Sequence, residues 1–329
     1  MTAPPAQPHP SASEPTVLAR GRDRWVVRFG TYNLRDFGKH DSADERARCE
    51  RVIEVITTLN VDVLAVQEIH GVDDDDAVGN LARLANATGL RYQTPVTQPV
   101  LADGGRGLFV GVVWKPEVPV AAATMYHRPA FRSPLAKVVL DFSGRQHQLA
   151  SHHATPFGRN GRADDAEEIV AAMTRPPLPG LLGHDANGIS ADLCSYRSRR
   201  RNEWYDPDPY ADTPWFPDLT YQCEWHDRRH WADRTAGDVY IRGGLDDVAA
   251  VLDVPWQATA GHWPTCEYGR HGIRRRLDII RATGAMLPAL VSLEVHRTEL
   301  ALSASDHLPV AVSYDPDRIP VDPLAAGTR

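Results

Sequence analysis

The sequence predicts an α/β fold built around a mixed β-sheet, on three observations. Short apolar runs alternate with helical patterns between Trp25 and Tyr314. Three strand-like runs, 108–114, 138–142 and 148–152, follow one another, so the sheet reads as mixed and not purely parallel. The composition, 42% hydrophobic and 24% charged, supplies a large core. A length of 329 residues leaves one core or two open.

Taken in order, residues 25–32 read as a strand and 62–67 as a buried one. A helix should connect them: Ser42 and Glu45 have capping-box spacing, and Val52, Val55, Ile56 and Leu59 then share a helical face. A second helix carries Val78, Leu81, Leu84 and Ala85 and stops near Gly89. After the three strand runs come a helix over 163–173, a short strand over 181–184, and last strands over 277–281, 291–296 and 308–314. Residues 1–20, rich in Pro, Ala and Ser, and 315–329, poor in periodic apolar residues, read as tails around a domain spanning 21–314. From about 190 to 240 the pattern breaks: Arg199, Arg200 and Arg201 mix with Trp204, Trp215, Trp225, Trp231 and several prolines, which reads as an irregular insertion. Such a loop either carries recognition residues or lays its tryptophans over the core.

The formal charge of -7 and pI near 6.0 exclude a simple DNA-coating protein, since nucleic-acid binding would need a local basic patch. The four cysteines are widely spaced and form no CxxC pair, which favours reduced thiols in the cytoplasm over a zinc knuckle or disulfide framework. No apolar run approaches the roughly 20 residues of a membrane helix, and residues 1–14 lack the regions of a signal peptide, so a soluble, unexported chain is expected.

Several polar strings fall at strand ends. Asn33, in Thr31-Tyr32-Asn33-Leu34-Arg35, is either a turn former or a neutral partner for metal-bound water or phosphate. The apolar run Val63-Leu64-Ala65-Val66-Gln67 delivers Glu68 to a rim, where one carboxylate can anchor a hard cation. His70 and Asp73–Asp76 read as an exposed loop and helix start. In Ser151-His152-His153-Ala154 the two imidazoles point to opposite faces, so at most one enters a site, and His152 is favoured over His153. Asp185 and Asn187 share a side of an extended chain: the carboxylate can orient or deprotonate a water and the amide can donate to phosphate, although Asp-Ala-Asn-Gly is also good turn chemistry. Asp278, two residues after Arg276, can hydrogen-bond a histidine, and Ser305-Asp306-His307 sets a carboxylate and an imidazole before a final strand.

Together these strings resemble the ordered motif set of the endonuclease/exonuclease/phosphatase (DNase I-like) superfamily over roughly residues 25–314. The resemblance implies a four-layer α/β sandwich of two facing mixed sheets with helices outside. It implies Glu68, Asn33 and Asp306 on the metal side, with Mg2+ or Mn2+, Asp185 as water-orienting base and Asn187 as phosphate donor. His307 would contact phosphate with Asp278 supporting it, and His152 or His153 would contact phosphate as well. Arg199, Arg200, Arg201, His153 and His184 are further substrate-binding candidates. Three features depart from the family pattern: His184 follows Gly183 where a small residue is common, an apolar residue after the histidine is missing, and the insertion is long. The activity implied is hydrolysis of a phosphomonoester or phosphodiester, on a phosphorylated small molecule or a nucleic acid. A nuclease, or a biosynthetic or binding protein on the same fold, are the alternatives.

Overall fold

The computed structural model describes residues 26–320 apart from 143, 196–199, 201, 211–221 and 264–271. Two six-stranded mixed sheets face each other. The first is built from β1 (Val27–Phe37), β2 (Val63–His70), β3 (Leu101–Asp103), β4 (Leu108–Trp114), β13 (Leu290–Val295) and β14 (Val310–Tyr314), in the order β13-β14-β1-β2-β4-β3. The second holds β5 (Val120–Tyr126), β6 (Leu135–Phe142), β7 (Arg145–His153), β8 (Gly180–Asp185), β11 (Leu245–Asp247) and β12 (Asp278–Thr283), in the order β11-β12-β8-β7-β6-β5.

Each sheet has one parallel pair among antiparallel neighbours, β1 with β2 and β7 with β8. A parallel pair needs a crossover, and the two crossovers contain the helices α1 (Ala43–Leu59) and α3 (Arg159–Thr174). The Ser42 hydroxyl caps α1 by accepting from the Glu45 N–H at 3.2 Å, as the spacing predicts. Asp73 caps α2 (Asp74–Thr88), and Gly89 ends it at φ 71°.

Alternation along the strands sorts side chains between two environments. Phe29, Val63, Ala65, Leu149 and Leu181 enter the core between the sheets, while Tyr32, Leu64 and Val66 pack under α1, α2 and α5 (Glu299–Ala304). Ala150 and Leu182 pack under α3 and α4 (Thr235–Arg242). The sandwich therefore has the four layers expected.

Two sequence expectations need correction. The packed chain runs past Tyr314: Asp315 and Ile319 are buried, and a helical turn covers Pro316–Arg318, because Ile319 completes the core between the sheets. The insertion is not wholly irregular either. β9 (Cys223–His226) and β10 (Arg229–Ala232) form a two-stranded sheet, and α4 shares an apolar cluster with α3. Residues 1–25 and 321–329 lie outside the described residues. Cys49, Cys194 and Cys223 are free, and no helix among the described residues is long and apolar enough to cross a membrane.

Candidate active site

The residues facing the inter-sheet core end, at one edge of the sandwich, in polar groups. On β7 and β8, alternation from Leu149 and Leu181 carries His153 and Asp185 to that face, and the two are register partners. His153 Nε2 lies 3.4 Å from Asp185 Oδ2 and 3.8 Å from Glu68 Oε1. His152 and His184, also register partners, point the other way. His152 is fully buried with Nε2 3.5 Å from Asp165, and His184 packs edge-on against Tyr240 with neither ring nitrogen hydrogen-bonded among the described residues. The expectations for His152 and His184 are thus corrected: of the two adjacent histidines of β7, His153 is the one that faces this edge. β7 and β8 are buried on both faces here, so hydrophobicity does not alternate and their parity is hidden in the sequence.

Glu68 breaks the alternation of β2. After Val63, Ala65 and Gln67 it should face the helices, but the register slips between Val66 and Ile69 and Glu68 takes φ 60°. This bulge turns the carboxylate to the site edge at the cost of a left-handed non-glycine residue. Asn33 holds it there, donating its amide to Glu68 Oε1 at 2.9 Å and to Asp185 Oδ2 at 3.0 Å, while the Asp36 N–H donates to Glu68 Oε2. The Asn33 oxygen accepts from the Arg35 N–H, and its amide clamps the two carboxylates. Ligand atoms of Glu68, His153 and Asp185 lie within 4.8 Å of one another, a group able to hold a metal ion. Asp306 is outside that group, although its charge reaches Glu68.

His307 completes the edge. Its Nδ1 lies 2.8 Å from Asp278 Oδ2, and its Nε2 3.8 Å from Asp185 Oδ2. Asn187, at φ 41°, donates its amide to the Ala154 carbonyl at 3.0 Å, and its N–H donates to Asp185 Oδ1. The Asx turn and the site position therefore coexist at Asp185-Ala186-Asn187.

Electrostatics separate these groups. Burial pushes the Glu68 carboxyl up, against the pull of His153 and with the Asp306 charge adding. Burial acts likewise on Asp185, but His307, His153 and hydrogen bonds from Asn187 and Asn33 outweigh it and keep that carboxyl below its ordinary range. Burial would lower the His307 imidazole, yet Asp278 and then Asp185 hold it well above its usual value. The surroundings thus shift Asp185 towards its anionic form and His307 towards its cationic form.

Beneath the edge lies a polar layer that the sequence reading did not assign. Gln67 donates to Thr31 Oγ1 (3.1 Å) and Ser151 Oγ (2.9 Å), tying the two sheets together. Gly183 makes their approach possible, since a Cβ there would stand 2.7 Å from Thr31 Cβ. Arg276, which the sequence marks only as the neighbour of Asp278, is buried and pairs with Asp206 at 2.7 Å and with Asp247, fastening the insertion to the sheet.

The edge opens into a cleft of about 390 Å³ lined by Glu68, His153, Asp185, Asn187 and His307, and by residues of the 104–110 and 153–157 segments. No described insertion residue lines it. Arg200 is exposed and pairs with Glu203, and Arg199, Arg201 and Trp215 lie outside the described residues.

No family model matches the sequence, and no curated protein does. Solved structures match over most of the chain. An endonuclease/exonuclease/phosphatase from Beutenbergia cavernae aligns at TM-score 0.56 and 17% identity, covering 89% of this chain and 72% of that one. The fold is that of the endonuclease/exonuclease/phosphatase superfamily. TDP2 of D. rerio, complexed with a single-strand DNA product, aligns at TM-score 0.55 and 14% identity over 88% of this chain and 98% of that chain. A Bacteroides thetaiotaomicron mannosyl-6-phosphatase aligns at 0.52 and 13%, over 87% and 98%. Similar architectures thus serve nucleic-acid and sugar-phosphate chemistry in those proteins.

Proposed function

We propose that the chain is a divalent-metal-dependent phosphoesterase that hydrolyses a phosphomonoester or phosphodiester with an activated water. One observation carries the reading: a metal-capable trio of Glu68, His153 and Asp185 stands with its Asp185 carboxylate beside the His307 imidazole that Asp278 supports. Phosphoryl transfer needs such an arrangement, anion next to cation at one rim.

The donor set fits a hard cation. Two carboxylates and one imidazole converge, and the burial that raises Glu68 is a cost that a bound cation would offset. Mg2+ or Mn2+, bound by Glu68 with His153 or Asp185, would polarise phosphate oxygens there. The chain's own groups do the rest. Asp185, held ionised, orients a water and accepts its proton. His307, held protonated with Asp278 behind it, donates to the phosphate as charge develops. Asn33 fixes the spacing of Glu68 and Asp185, and Asn187 shapes the loop beside them.

The test is turnover of phosphomonoesters, phosphodiesters and oligonucleotides with Mg2+ or Mn2+ and with excess chelator. Activity lost on chelation and restored by metal supports the reading. Undiminished turnover in chelator removes the metal from it, and no turnover on any substrate with metal demonstrably bound would favour a binding or biosynthetic role.

A further inference from the structure

The cleft has a second wall whose chemistry the metal-side residues do not use. At the tip of the β3–β4 hairpin, three consecutive residues take left-handed backbone: Gly105 at φ 74°, Arg106 at 58° and Gly107 at 74°. Glycine accepts this freely, arginine only at a cost, so the turn is specified by its surroundings. The Asp103 carboxylate accepts the Gly105 N–H at 2.6 Å, and Gly104 lies so close to Pro134 that a Cβ would meet the proline ring at 2.9 Å. The result is that Arg106 is presented at the cleft on a packed loop. Arg128 joins it from the segment after β5: its N–H donates to the Asp103 carbonyl at 3.1 Å, and its Cδ lies 3.6 Å from the position of a Gly105 Cβ. The Arg106 guanidinium sits 5.7 Å from the ring centroid of Phe157, which is 50% exposed in the same cleft.

Arg106 and Arg128 are exposed, and among the described residues neither forms an ion pair with a carboxylate. Nearby arginines outside the cleft do: Arg132 pairs with Asp164 at 2.8 Å and Arg159 with Glu224 at 2.6 Å. Two arginines with no acidic partner among the described residues, beside an exposed aromatic ring, face the same cavity as Glu68, Asp185 and His307. Guanidinium forks match phosphate oxygens, and a phenyl face accepts a ring or a cation stacked against it.

We propose that Arg106, Arg128 and Phe157 form a subsite for a second phosphate and the ring that carries it, so that the preferred substrate is a nucleotide-type compound with at least two phosphates. The assignment rests on the phosphoesterase reading, since it supposes that the first phosphate lies at Glu68, Asp185 and His307. It also moves recognition away from the insertion and onto the 103–107, 128 and 157 segments.

Three substrates with a common 5′-phosphate separate the outcomes: thymidine 5′-phosphate, thymidine 3′,5′-bisphosphate, and 5′-phosphorylated dithymidylate. In the wild-type chain the second phosphate should lower KM about tenfold or more, the scale of one charge-assisted contact. In Arg106→Ala/Arg128→Ala that gain should fall below about twofold, with kcat on the monophosphate unchanged, and Arg106→Lys should restore part of it. A larger gain with the dinucleotide identifies a strand as the source of the second phosphate, and a larger gain with the bisphosphate identifies a small molecule. An unchanged KM ratio in the double variant overturns the subsite. Calorimetric binding of thymidine 3′,5′-bisphosphate to the full chain keeps this apart from catalysis. If the wild type hydrolyses none of the three but binds the bisphosphate about tenfold more tightly than the double variant, the hydrolytic reading fails and the subsite stands; equal affinities overturn the subsite.

Discussion

His147 offers a prediction whose size follows from the structure. It lies on β7 with its ring in the inter-sheet core, fully buried, stacked on Phe142 at 5.4 Å and edge-on to Tyr314 at 5.7 Å. Its Nε2 has no hydrogen-bond partner among the described residues, and the Tyr314 hydroxyl stands 3.5 Å from Nδ1. Burial, with the Arg145 charge adding, lowers its pKa from 6.5 to about 4. The unfolded chain therefore binds a proton between these two values and the folded chain does not, so stability is full at pH 7 and is lost as pH falls. At about 1.4 kcal/mol per pH unit, the loss reaches roughly 3 kcal/mol below pH 4, of which about 2 kcal/mol appears between pH 7 and pH 5. Other groups titrate in that range, so the measurement is a difference. Urea unfolding of wild type and His147→Phe at pH 7 and pH 5 should show the wild type losing about 2 kcal/mol more than the variant. Parallel losses in the two proteins would refute a buried, neutral His147.

Asp185→Asn should lower kcat by roughly 100-fold or more with an unchanged circular-dichroism melt, because it removes the anion and keeps the shape; wild-type turnover would deny Asp185 its role. Asp278→Asn removes the first partner that holds His307 protonated, so the basic limb of the pH–rate profile should move to lower pH; an unmoved limb would leave Asp278 structural. Gly183→Ala should destabilise the fold by about 1–3 kcal/mol in denaturant unfolding, since the new methyl would meet Thr31 and Ala65 across the sandwich. Arg276→Met leaves Asp206 and Asp247 buried without their cation and should cost about 3–5 kcal/mol in the same assay, while an unaltered midpoint would show the insertion to be fastened by other contacts.

The layers were legible because local chemistry and tertiary structure agree. The capping box at Ser42, the Gly89 stop and the apolar face of α1 each describe one element without reference to any other. The site motifs were legible because polar residues that end apolar strands stand out. What escaped depends on long-range geometry. The choice between His152 and His153 turns on strand parity, which only the register with β8 fixes. The position of Glu68 turns on a bulge that no propensity announces. The pairing of Arg276 with Asp206 and Asp247 spans 70 and 29 residues of sequence. The arginines of the insertion drew attention by composition, whereas Arg106 and Arg128 lie 22 positions apart in sequence and meet only through the β3–β4 hairpin and the strap after β5.

The topology explains why the site lies at this edge. In a parallel pair, both strands end on the same side, and each sheet has one such pair near its centre. β1 and β2 deliver Asn33 and Glu68, and β7 and β8 deliver His153 and Asp185, so four strand ends from two sheets converge. Their antiparallel neighbours β12 and β14 begin at that same edge, which is why Asp278 opens β12 and His307 stands just before β14. Carboxylates brought together this way repel and are desolvated, and the fold tolerates the cost because Asn33, His153 and His307 are interleaved among them. Two of the register shifts, at 33–37 in β1 and 66–69 in β2, fall at this edge and bring Asn33 and Glu68 together there, while those at 290–292 and 120–122 lie in the pairings of the outermost strands β13 and β5. In the central strands β1 and β2 the irregularity falls where the rim groups gather, and there it aims Asn33 and Glu68 at one another.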